Sequence, residues 1–116
     1  MNPFGIPEMS VTEMADLREA GASFVVLDVR EPLELRMAAL DDVVHVPMSQ
    51  IAALREDALP EAVLDKETEI VVLCHHGNRS AQVAAWLRAQ GWLNVWNLTG
   101  GIDAYAKEVN RTIGLY

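Results

Sequence analysis

Two short runs, Phe24-Val25-Val26-Leu27-Asp28-Val29 and Ile70-Val71-Val72-Leu73, constrain the fold of this chain more than any other feature. A strand with one face in water alternates apolar and polar side chains, because successive residues point to opposite faces; a run that stays apolar is a strand covered on both. Covering both faces requires helices, and the segments between the runs supply them. Ser10 followed three residues later by Glu13 is a capping box, so Val11 to Ala20 reads as a helix stopped by Gly21. Residues 1–9 read as a loose lead-in. Glu31-Pro32 suits the start of a short helix, Val43 to Val46 reads as a strand ended by Pro47, and Ser49 is placed to cap the helix after it. Pro60 interrupts the stretch after Leu54, and the polar Asp65 to Thr68 is a turn leading into the run at Ile70. Ser80 is placed to cap a helix over Ala81 to Gln90, closed by Gly91. Trp92 to Leu98 then holds a strand, Gly100-Gly101 a tight turn and Ile102 to Val109 a last helix, with 110–116 as a tail. Alternation of this kind predicts an α/β fold, a mainly parallel sheet with helices on both faces. With 116 residues there is room for one domain, placed at 10–109.

Charge and cysteine usage narrow the function. A net charge of -8 gives a field that repels nucleic acid and anionic membrane surfaces, so neither is expected as a partner. There is no basic, apolar leader at Met1 to Met9 and no apolar run long enough to span a bilayer, and the single cysteine, Cys74, has no partner for an internal disulfide. A free thiol fits a reducing compartment, and the protein is expected to be cytoplasmic.

The stretch that carries chemistry is Leu73-Cys74-His75-His76-Gly77-Asn78-Arg79-Ser80, a cysteine at the carboxyl end of a buried strand, a short loop and then a helix. In open α/β sheets ligands bind at that end. Loop amides and the positive helix end, with the Arg79 guanidinium if it points inward, would favour a thiolate or a persulfide anion on Cys74. Gly77 supplies a backbone conformation that a side chain would hinder. A buried cysteine is often only a small hydrophobe. His, His, Gly, Asn, Arg and Ser directly after it argue for chemistry instead.

The segment Cys74-His75-His76-Gly77-Asn78-Arg79-Ser80 resembles the active-site loop of single-domain rhodaneses. Leu27-Asp28-Val29-Arg30-Glu31-Pro32, Val44-His45-Val46-Pro47-Met48 and Leu98-Thr99-Gly100-Gly101-Ile102 are similar to three further family segments, in the family's order, so the resemblance runs from about Ser10 to Val109. It implies a five-stranded, mainly parallel sheet and a sulfurtransferase in which Cys74 is the nucleophile and carries a persulfide. His75, His76, Gly77, Asn78 and Arg79 would form the cradle for the substrate, with Ser80 in support. Asp28 and Arg30 match the family's pair after the early strand, and are read as architectural. Met37-Ala38-Ala39-Leu40-Asp41-Asp42 lacks the family's usual Gly-His, which leaves the course of that connection open. The implied partners are a small sulfur donor such as thiosulfate or a persulfide, a thiol or cyanide acceptor, and a protein persulfide carrier. No cofactor is implied.

Two other readings are weighed. Phosphatases and arsenate reductases share this fold, but a phosphatase loop has one residue more than the four between Cys74 and Arg79, room for a tetrahedral oxyanion where this loop suits one sulfur atom. A non-catalytic docking module is disfavoured by the complete loop. Zinc needs about four converging ligands, which the consecutive Cys74, His75 and His76 rarely provide, so no metal is expected. His45 reads as an ordinary strand residue, and Trp86, Trp92 and Trp96 as packing residues.

Overall fold

The computed structural model describes residues 2–116. Five strands, β1 (Glu8–Met9), β2 (Val25–Asp28), β3 (Val44–His45), β4 (Ile70–Leu73) and β5 (Val95–Leu98), form one sheet in the order β1-β5-β4-β2-β3. Every pairing is parallel. The helices are α1 (Val11–Glu19), α2 (Pro32–Leu35), α3 (Met48–Leu54), α4 (Asn78–Ala89) and α5 (Gly101–Glu108), with short 3-10 turns at Arg55–Ala58, Glu61–Val63 and Arg111–Ile113.

The fully apolar β4 sits at the centre, and its side chains divide as strand geometry requires. Ile70 and Val72 pack with Ile51 of α3 and Val83, Ala84 and Leu87 of α4. Val71 and Leu73 pack on the other face with Val11 and Met14 of α1 and Ile102 and Tyr105 of α5. Helices on both faces explain why the run contains no polar break. At one end of the first core Trp92 is buried, and its indole N–H donates to the Val63 carbonyl at 2.8 Å. His45 and Arg30 O are 2.7 Å apart, so the histidine ties β3 to the segment after β2.

Four local expectations are corrected. Residues before Ser10 are not loose: Glu8 and Met9 pair with Asn97 and Leu98, and Ile6 is buried. The tail is not free either, since Tyr116 packs on the second core. Ser49 does not cap α3, whose N-cap is Pro47; its hydroxyl donates instead to the Glu31 carboxylate at 2.6 Å. Ser80 does not cap α4. That helix begins three residues earlier, at Asn78 after Gly77, because Gly77 at φ 106° makes the sharp turn a serine cap would otherwise have opened.

The segment lacking Gly-His takes a defined course. Ala38 and Leu40 are buried, the Ala38 carbonyl accepts from Arg30 at 2.8 Å, and the Ala39 amide donates to Ile113 O at 3.3 Å. A buried arginine and the C-terminal segment together fix the path.

Candidate active site

Cys74 leaves β4 at its carboxyl end, and the loop 75–77 turns at once into α4. The loop carbonyls face α5, whose Ile102 and Asp103 amides donate to Cys74 O at 2.9 Å and His75 O at 3.1 Å. Gly101 makes that approach possible, since a Cβ there would meet both carbonyl oxygens at 2.5 Å. On the other side of the loop the Gly77 N–H donates to Cys74 Sγ at 3.0 Å. Cys74 is 1% exposed. Its side chain belongs to the first core, and the sulfur is also within hydrogen-bonding distance of the Gly77 amide and, at 3.2 Å, of the Ser80 hydroxyl.

Ser80 belongs to a buried chain of polar groups that ends on the edge strand. Its hydroxyl donates to Asn97 Oδ1 at 2.5 Å, while Asn97 Nδ2 donates to Gly77 O at 3.1 Å and to Glu8 Oε1 at 3.3 Å. Asn97 therefore links the cysteine loop, α4 and β1.

The charged groups near the loop are internally neutralised. Arg79 forks onto Glu34 of α2, with Nη1 on Oε1 at 2.6 Å and Nη2 on Oε2 at 2.8 Å. The guanidinium neither points at the sulfur nor stands free in solvent; a carboxylate from another element holds it. The Arg79 hydrogen bond holds the Glu34 carboxyl down at about 2, and the same contact raises Arg79. Asp28 and Arg30 are both fully buried and paired at 2.8 Å. Burial lowers the Arg30 pKa, but its hydrogen bonds to Asp28 and Tyr116 outweigh that and the net shift is upward. The Arg30 guanidinium donates to the Asp28 carboxylate, the Glu34 and Ala38 carbonyls and the Tyr116 hydroxyl.

Tyr116 closes the group. Its ring stacks on His75 with centroids 3.7 Å apart, its carbonyl lies 2.8 Å from His75 Nε2, and its hydroxyl donates to Glu34 at 2.8 Å. Burial raises its own phenol to about 12. The loop is thus held by α5 below, by Asn97 on one side and by Glu34 and Tyr116 on the other.

The family model described as the rhodanese-like domain matches residues 10–108 of this sequence. The chain belongs to the rhodanese-like domain family. It is 40% identical over 89 residues to a thiosulfate sulfurtransferase, GlpE, of Pseudomonas syringae, covering 77% of this chain and 76% of that protein. It is 41% identical over 91 residues to a rhodanese-like/PpiC domain-containing protein 12, chloroplastic, of Arabidopsis thaliana, covering 78% of this chain but 30% of that longer protein. Among solved structures, a rhodanese-related protein from Thermoplasma volcanium aligns with a TM-score of 0.72 at 27% identity, covering 89% of this chain and 93% of that one. The five-stranded parallel α/β architecture is that of the rhodanese-like family, and its relatives include the GlpE thiosulfate sulfurtransferase. No helix among the described residues is long and apolar enough to cross a membrane.

Within this rhodanese-like domain, Cys74, Gly77 and Ser80 meet at one point, while His75 and Arg79 stand beside it against Tyr116 and Glu34. Asn78 and His76 are exposed at the rim. Four contributors escaped the sequence reading: Glu34, Asn97, Asp103 and Tyr116. Asn97 carried a signal, a polar residue inside an otherwise apolar strand run; Glu34 and Asp103 look like surface charge in one dimension, and Tyr116 lay in what read as a tail. The ligating side chains that converge near the loop are not the consecutive Cys74, His75 and His76. His75, His76 and Asp103 bring one ligand atom each within 4.8 Å of one another, without Cys74. Asp103 is also paired with Lys107 at 3.0 Å, a hydrogen bond that lowers its pKa.

Proposed function

We propose that this protein transfers a sulfane sulfur through a persulfide on Cys74. The observation that carries this reading is the amide of Gly77 on the Cys74 sulfur, at the carboxyl end of the central strand and the start of α4. A backbone donor and a helix N-terminus stabilise negative charge on that atom without rearranging when the charge develops. The Cys74 thiolate attacks the outer sulfur of a donor such as thiosulfate; the donor's S–S bond breaks and sulfite leaves with the bonding pair. A thiol, as its thiolate, or cyanide then attacks the outer sulfur of the persulfide, and Cys74 regains its thiolate. Splitting one transfer into two displacements is the ordinary advantage of covalent catalysis. No second cysteine is needed, and the chain has none. Persulfides on small thiols or on a carrier protein are the other donor class, and a reducing cytosol is the setting in which the free thiol persists.

Phosphatase chemistry is supported less well. It requires an arginine aimed at phosphoryl oxygens, and Arg79 is forked onto Glu34 instead. Intact-mass measurement after incubation with thiosulfate should show the addition of one sulfur atom, reversed by cyanide with release of thiocyanate. Absence of that adduct with thiosulfate and with small-molecule persulfides, together with turnover of phosphate esters, would replace this reading.

A further inference from the structure

The hydrogen-bond directions around Ser80 are fixed by counting protons. Asn97 Nδ2 meets two acceptors, Gly77 O and Glu8 Oε1, so the amide nitrogen must lie on that side and Oδ1 must face Ser80. An amide oxygen can only accept. The Ser80 hydroxyl therefore gives its one proton to Asn97, at 2.5 Å, and turns a lone pair toward Cys74 Sγ at 3.2 Å. A neutral thiol suits that arrangement, because its S–H can donate to Ser80. A thiolate or persulfide anion does not: it would face a lone pair unless the hydroxyl turned and left Asn97.

We infer that Asn97 is a positioning residue that competes with the Cys74 sulfur for the Ser80 proton, holding the resting site in the form suited to a neutral thiol. Asn97 is 2% exposed and Ser80 fully buried, so the competition for the proton takes place away from bulk solvent, where each hydrogen bond counts for more. The arrangement gives the site two settings. With the proton on Asn97, the sulfur is quiet; with the proton turned to sulfur, the anion gains a second donor beside Gly77 N–H. The consequence for catalysis rests on the persulfide reading above, but the competition itself does not.

The other titratable groups around the loop do not make this choice. Arg79 is tied to Glu34, Arg30 to Asp28, and Asp103 to Lys107 with His76 beyond it at 3.8 Å. His75 and Tyr116 hold each other, and Glu8 reaches the network only through Asn97 and Thr99. All of these charged and titratable side chains are present in each variant proposed below.

Because the chain has one cysteine, its thiolate can be followed by ultraviolet absorbance against pH, with Cys74→Ser subtracting the tyrosines. The readout requires no sulfur transfer and no access of a reagent to the buried sulfur. Asn97→Leu keeps the size of the side chain and removes the acceptor, freeing the Ser80 proton for sulfur. The thiolate should then appear at a pH lower than in the unaltered protein by about one unit, the size expected of one hydrogen bond to a charged group. In a Ser80→Ala background the same Asn97→Leu change should produce no shift, since there is no proton to release. Should Asn97→Leu fail the circular dichroism check for folding, Asn97→Val, suited to a strand, takes its place. A midpoint unmoved by the Asn97 change, or moved equally with and without Ser80, overturns the inference, and the second result would assign Asn97 to general packing. Sulfur uptake measured on the same proteins tests the persulfide reading separately.

Discussion

Replacing Glu34 by glutamine should weaken the fold by an amount that disappears in acid. The Glu34 carboxyl sits at about 2 against an ordinary 4.5 because Arg79 forks onto it. A difference of about 2.5 pH units, at about 1.4 kcal/mol each, sets a ceiling of about 3.4 kcal/mol on what ionised Glu34 contributes. The side chains of Arg79 and Glu34 are 34% and 20% exposed, so solvent screening reduces the expectation to about 1–2 kcal/mol. The carboxyl is depressed in the folded state, so its contribution is fully present above 4.5 and is lost as pH falls toward 2. Urea unfolding of the unaltered protein and Glu34→Gln at neutral pH should therefore separate by about 1–2 kcal/mol, and the two curves should converge as pH falls through that window. Low salt should widen the gap slightly. A gap that persists unchanged into acid would show that Glu34 acts through shape and its neutral hydrogen bonds to Glu31 and Tyr116, and would refute the charge argument.

Cys74→Ser should abolish sulfur uptake, by about a thousandfold or more for an essential nucleophile, with little change in unfolding midpoint; transfer by this variant at an appreciable rate would remove Cys74 from the mechanism. Arg30→Leu should cost about 3–5 kcal/mol, since it leaves the Asp28 carboxylate buried without its partner, and thermal unfolding with the double change Asp28→Leu/Arg30→Leu should recover part of that loss. Gly101→Ala should disrupt the site from beneath, because its Cβ would press on the Cys74 and His75 carbonyls and its φ of 62° strains any side chain. A Gly101→Ala protein of unchanged stability and sulfur uptake would show that α5 can move away freely.

What the sequence determined by itself is what depends on local pattern. A four-residue apolar run rich in β-branched residues, bounded by turn signals, reads as a strand covered on both faces, and its alternation with helical segments gives the parallel sheet and its two helical layers. A cysteine one residue past such a run, followed by a glycine-containing turn, places a sulfur at the sheet's carboxyl end before any coordinate is known. The Asp28 and Arg30 pair was legible only through the family resemblance; local pattern does not say that two charges beside a strand end are paired and buried. Local cues failed where two signals compete: Ser80 looks like a helix cap, but Gly77 had already opened the helix, which turned Ser80 inward to the sulfur. Only the tertiary structure decided the direction of Arg79, because its partner Glu34 lies 45 positions away and nothing local distinguishes that carboxylate from Glu31. The same holds for Asn97, Asp103 and Tyr116, brought to the loop by strand order and by the return of the C-terminal segment. Spacing along the chain fixes which residue carries the sulfur; the proton and charge partners around it are chosen by chain crossings, whose register depends on the packing of the whole sheet.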